Sequence, residues 1–181
     1  MTLLREGLLN GRTVVLAGDV GDEVRSALSS LGASLTELPV GELDDDRAQE
    51  WVRGTSPVHG LVAAPVGMGT DERLESALDR TWTAVRAVAA GALIPGGAGG
   101  KIVLLAPAPR AGEHAPALRA AIENLARTLS VEWARHAITV AAITPGERTE
   151  EAQTGAVVAF LLSPAGDYLS GCRLELGAAG A

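Results

Sequence analysis

Glu113, His114 and Arg119 lie close together and are of types that could share one reaction. A histidine or a carboxylate can move a proton, and a guanidinium can polarise a carbonyl oxygen without losing its own charge. The trio could therefore act as acid/base and electrophile. Read structurally, the same residues are solvent-facing groups around a helix start, with Glu113 favourably placed at the positive end of the helix dipole. A second group, Asp19, Asp22 and Glu23, follows Gly18 at a strand-to-helix turn. Such a turn can cradle a phosphate on backbone N–H groups, but these carboxylates suit the helix dipole themselves and would repel an anion. A capped structural turn is the better reading. Asp44, Asp45 and Asp46 invite a divalent-metal reading. Consecutive helical residues point in different directions, so a solvated helix start is preferred and no metal is expected. The stretch from Pro95 through Gly96, Gly97, Gly99 and Gly100 to Lys101 looks superficially like a phosphate loop. It precedes a strand instead of following one, Pro95 takes the first glycine position, and Ile102 follows the lysine, so it reads as a turn. His59 reads as a surface residue at a strand entrance, and Tyr168 as packing or interface.

These residues need a scaffold, and the chain supplies an α/β pattern. Gly11–Gly18 reads as a first strand ending in a glycine turn. Asp22–Leu31 follows as a helix closed by Gly32, then Leu35–Leu38 as a short strand. One helix is expected between Gly41 and Gly54, and an apolar strand within His59–Pro65. Asp71–Leu93 carries Leu74, Leu78, Trp82, Val85, Ala89 and Ala92 at helical spacing. Lys101–Ala106 and Ile138–Ile143 are apolar runs of strand length, flanking a helix of roughly five turns with Leu118, Ile122, Leu125, Leu129 and Trp133 along it. Strand, helix, strand in that order makes a right-handed crossover between parallel, buried strands. A final helix is expected over Thr154–Leu162.

The 181 residues suit one domain spanning 1–181, and 47% hydrophobic content argues against disorder. Only 3% is aromatic, so the core must be built mainly from Ala, Val and Leu. A net charge of −7 argues against nucleic acid as a partner. Cys172 is the single cysteine, so no internal disulfide can form. The first residues lack a basic segment followed by an apolar core, and no apolar run reaches about 18 residues, so no membrane association is expected and the location reads as cytoplasmic.

Residues 119–146 and 160–180 resemble the catalytic helix with its following strand, and the last helix, turn and strand, of short-chain dehydrogenases/reductases. The resemblance implies a Rossmann-like, doubly wound parallel sheet with helices on both faces. The span from Leu38 to His59 is too short for one strand–helix unit of that family, so about six strands are expected, one fewer than usual. The resemblance also identifies what is missing. In that family the long helix carries a Tyr-x-x-x-Lys pair; counting back from Val131–Ala134 puts Ala115 at the tyrosine position and Arg119 at the lysine position. Ala106-Pro107-Ala108 stands where the catalytic serine is expected, Thr81–Thr83 where the active-site asparagine is, and Ala63-Ala64 replaces two asparagines after the strand. The family's glycine-rich loop is shortened to residues 17–23. Glu37 is the nearest counterpart, slightly early, of the acidic residue that grips the adenosine ribose.

Hydride transfer needs a bound cofactor and a proton donor, and the loss of every one of these groups points away from it. The leading expectation is a non-catalytic protein, with no catalytic, cofactor-binding or metal residues and no cofactor. Members of the family pair two long helices with those of a neighbour in a four-helix bundle, and some support an active paralogue as an inactive subunit. The resemblance therefore implies assembly with itself or an active paralogue through Asp71–Leu93 and Ala115–Ala134, with Trp82, Val85, Val88, Leu118, Ala121, Ile122, Leu125 and Trp133 at the interface. The alternative is a divergent NAD(P)-dependent oxidoreductase using His114 or Glu113 together with Arg119. A third reading, a nucleotide-binding regulator, has the acidic loop against it.

Overall fold

The fold is seen in a computed structural model, which describes residues 4–41, 44–55, 57–66 and 73–177. Strands β1 (Thr13–Ala17), β2 (Ser34–Leu38), β3 (Gly60–Ala63), β4 (Gly100–Leu105), β5 (Ile138–Pro145) and β6 (Arg173–Leu176) form one sheet in the order β2-β1-β3-β4-β5-β6. Every neighbouring pair is parallel. Helices α1 (Asp22–Ser30), α2 (Asp45–Thr55), α3 (Leu74–Val88), the single turn α4 (Ile94–Gly96), α5 (Ala115–Glu132) and α6 (Glu151–Leu162) connect them. This is the expected doubly wound sheet of six strands. Between β2 and β3 the described residues hold α2 and no further strand beyond a one-residue bridge at Val40, so β2 ends the sheet.

Strand alternation divides the core in two. Val15, Ala17, Ile102, Leu104, Val140 and Ala142 face one side, where α2, α3 and α5 cover them with Val52, Val85, Val88, Ile122 and Leu129. Val14, Leu16, Val103, Leu105, Ala141 and Ile143 face the other, under α1 and α6 with Val24, Leu28, Val158 and Leu161. On that side the two helices approach closely at Gly155, where a Cβ would lie 3.0 Å from the Ala27 Cβ and 3.1 Å from the Glu23 carbonyl oxygen.

Two helices differ from the sequence reading. The expected start at Asp71 lies outside the described residues, and the helix does not run uniformly to Leu93. Ala89–Leu93 forms a π-turn between α3 and α4. Pro95 has no N–H, and its ring crowds the carbonyl four residues back. A turn closed five residues apart relieves that conflict. The widened turn seats Gly91 against α2, where a Cβ would be 3.0 Å from the Gln49 carbonyl oxygen. Helix α6 begins at Glu151, not Thr154, because Glu150 and Gln153 form a reciprocal capping box that the sequence reading overlooked.

The buried face of α3 is Ala77, Thr81, Ala84, Val85, Ala87 and Val88, so Leu74, Leu78 and Trp82 stand off it and Trp82 is 39% exposed. This corrects the interface set. Val85, Val88, Leu118 and Ile122 are buried within the chain itself and have no surface to offer a partner. Of the expected interface residues, only Trp82, Ala121, Leu125 and Trp133 retain accessible surface, and Leu125 and Trp133 also pack against the intramolecular core.

Candidate functional site

The strand order reverses at β1, whose chain partners lie on opposite sides, so the carboxyl ends of β1 and β3 flank the crevice where open α/β sheets take ligands. Gly18 shapes it. Its φ is +81°, and a Cβ there would be 1.9 Å from the Ala64 carbonyl oxygen, so the turn after β1 closes directly onto the end of β3. Gly21 then caps α1 without any side chain of its own to accept from the helix N–H groups. The cap comes from α6. The Glu23 N–H donates to Oε1 of Glu151 at 3.0 Å, and a Cβ on Gly21 would lie 1.7 Å from the same oxygen. A carboxylate from elsewhere in the chain therefore occupies the anion position at this helix N-terminus. The adjoining cleft, about 310 Å3, is walled by Pro65, Pro107, Thr149 and Thr154 and carries Asp19 and Glu151 as its charged groups. No local signal in the sequence marks Glu151, because it lies 128 residues beyond Glu23.

The positions at which the sequence expects lost catalytic groups are filled by apolar or internally bonded side chains. Ala115 and Ala106 are buried. The Thr81 hydroxyl donates to the Ala77 carbonyl at 2.8 Å, and the Thr83 hydroxyl donates to Asp45 at 2.6 Å. Asp45 also pairs with Arg86, so it ties α2 to α3, while Asp44 accepts from the Arg47 N–H at 2.9 Å and caps α2. The aspartate triplet is thus partly a tertiary tie, which its position at a helix start did not reveal. Glu37 pairs with Arg25 at the end of β2. Among the described residues no group of three or more His, Cys, Asp or Glu side chains is set to hold a metal ion.

Arg119 is half-buried, and its Nη1 donates to the carbonyl oxygens of Pro107 and Pro145, each at 2.7 Å. It clamps the segments that follow β4 to the end of β5. Glu113 and His114 are exposed, line neither this cleft nor the one beside Arg119, and share no hydrogen bond with Arg119. The structure does not gather the three into one site. Tyr168 is 93% exposed, which leaves no packing role within the chain.

His59, at the entrance to β3, is more than a surface residue: its Nδ1 accepts from the Thr13 N–H at 3.0 Å and joins β1 to β3. Burial, and secondarily the charge of Arg12, hold its pKa below the ordinary 6.5. The unfolded chain therefore takes up this proton first as pH falls, so the bond's stabilisation is complete above about pH 6.5 and is lost as pH falls toward the folded-state value. Denaturant midpoints compared between pH 7.5 and 5 are expected to drop more for the natural chain than for His59→Asn, whose amide oxygen can accept the same bond without titrating. Parallel pH profiles would contradict this.

No protein-family model matches the chain, and no curated protein matches it in sequence. Solved structures do. A short-chain dehydrogenase from Mycobacterium smegmatis superposes with a TM-score of 0.79 at 19% identity, covering 100% of this chain and 98% of that one. A hydroxysteroid dehydrogenase from Escherichia coli gives 0.77 at 17% identity, covering 96% and 99%. A citronellol catabolism dehydrogenase from Pseudomonas aeruginosa PAO1 gives 0.76 at 22%, covering 96% of each chain. The likeness in fold covers 96–100% of this chain, in keeping with a resemblance that the sequence carries most strongly in its second half. Among the described residues no helix is long and apolar enough to cross a membrane.

Proposed function

We propose that this chain, which has the short-chain dehydrogenase/reductase fold, is a non-catalytic oxidoreductase-like protein that supports an active paralogue as a subunit. The observation that carries the reading is Glu151 on the N-terminus of α1, together with Asp19 in the adjoining cleft. A dinucleotide's diphosphate would have to displace one carboxylate and approach another, and like charges at such distances repel strongly in a half-buried cleft. Ala115 and Ala106 supply no proton where the fold's chemistry would need one.

The assembly half of the proposal rests on surface that the fold leaves uncovered. Ala117, Asn124, Thr128 and Val131 of α5 are exposed beside half-buried Ala121, and Leu78 and Trp82 lie on the neighbouring helix α3. Val131 is 78% exposed. Small residues on a helix face permit close helix–helix approach, and a partner carrying the same fold offers a matching pair. A cytoplasmic location accords with the lone, half-buried Cys172.

The second reading, a divergent oxidoreductase, is favoured by the likeness to named dehydrogenases. Its weakness is Arg119, whose guanidinium already serves two backbone carbonyls. Calorimetric titration of the isolated chain with NAD(H) and NADP(H) separates the two. The expected result is no heat of binding; micromolar affinity would overturn the non-catalytic reading.

A further inference from the structure

A larger cavity, about 660 Å3, lies at the opposite end of the sheet, where the entrances to β1, β3, β4 and β5 come together. That volume is within the range of small-molecule sites. The turn that imitates a phosphate loop forms part of its rim: Gly96, Gly99, Gly100 and Lys101 all line it. The floor is apolar and closely packed, contributed by Leu93, Ile138 and Leu162. A Cβ on Gly100 would lie 2.6 Å from Leu93 Cδ2, so the cavity ends on this floor and does not reach into the core.

Arg12, His59 and Lys101 are the nitrogen donors around it, and Asp167 is the one carboxylate among its lining residues. Arg12 lines the cavity and has no ion-pair partner among the described residues. Among the described residues Lys101 pairs with Asp167, which also lines the cavity and is 58% exposed, so that it can yield to a second anion. His59 accepts the Thr13 N–H on Nδ1, so the neutral ring carries its proton on Nε2 and has one donor left. We propose that this cavity is a binding site for a small carboxylate carrying a short apolar group, its head held by Arg12, His59 and Lys101 and its tail on the Leu93–Ile138–Leu162 floor. Such a ligand would set its carboxylate against the exposed guanidinium of Arg12 and rest its tail on a floor whose side chains keep 1–5% of their surface accessible. The site is independent of the crevice beside Glu151, and the proposal stands whether or not the chain binds a nucleotide. The competing explanation is that these cations only answer the carbonyl ends of α2 and α6, which also point toward this end of the sheet.

Nuclear magnetic resonance of the histidine-labelled chain separates the two. The chain has three histidines, and His59→Asn assigns the relevant signals. Hexanoate is titrated at constant ionic strength against chloride, with acetate as the tail-less comparison. The expected result is a saturable shift of the His59 ring signals by hexanoate. Acetate binds about tenfold more weakly, since it lacks the methylenes that the floor would cover. Arg12→Gln and, separately, Lys101→Gln each weaken hexanoate at least about tenfold, the loss of one charge-assisted contact, with unchanged circular dichroism. Arg110→Gln, far from the cavity on the crevice side, leaves binding unchanged. Unsaturable drift, equal affinity for acetate and hexanoate, or full affinity in both cavity variants overturns the proposal.

Discussion

Arg119→Ala is expected to lower the thermal midpoint by about 6–12 °C, without changing any nucleotide response. The guanidinium makes two charge-assisted bonds to the carbonyls of Pro107 and Pro145. Bonds from a charged donor contribute about 1.5–3 kcal/mol each, and a half-exposed pair lets water recover part, leaving a loss of about 3 kcal/mol. In a chain of this size each kcal/mol moves the midpoint by about 2–4 °C. Arg119→Lys recovers only part of the loss, because a shorter, flexible stem must bring its one ammonium to the place where Nη1 meets both carbonyls. Differential scanning calorimetry of the three chains is the check. If Arg119 were held ready for a substrate carbonyl, its removal would leave the midpoint unchanged.

The second large effect is on assembly. Ala121→Glu is expected to weaken self-association or association with a paralogue at least about a hundredfold, because a carboxylate would be buried without a partner at the centre of a helix–helix contact. Ala121 is half-exposed in the single chain, so the monomer should remain folded by circular dichroism. Ile122→Glu provides the contrast. Its side chain is 0% exposed and belongs to the core under α3 and α5, so that change should abolish the fold itself. Sedimentation velocity of the two variants distinguishes a bundle surface from an intramolecular core. Dissociation with retained helicity is expected for the first only.

The topology was legible because its signals are local. Apolar runs of strand length, Gly32 after α1, and the Leu118–Ile122–Leu129 spacing of α5 each state their element within a few residues, and the short Leu38–His59 span accounts for the missing strand. Which side of each long helix stays exposed was only half legible. Helical spacing marks a residue as apolar on one face, but the sheet selects which face is buried. On α3 it selected the small residues Ala77, Thr81 and Ala84, which moved Trp82 outward. The occupant of the crevice was not legible at all. Gly21 and Glu151 meet only because α6 folds against α1 through Gly155, a contact that exists in three dimensions and not in spacing. The same holds for Arg119: counting along the helix found its position, while its partners lie on two other segments.

The most direct measurement of the supporting-subunit account is sedimentation velocity of the chain alone and after co-expression with intact dehydrogenase-like chains, with oxidoreductase activity assayed on the same fractions. The account predicts that the chain sediments as an oligomer in at least one of these preparations, that fractions of the chain alone are inactive, and that activity appears only where an intact partner co-sediments. A monomer in every preparation, or turnover of a nicotinamide cofactor by the chain alone, would contradict it.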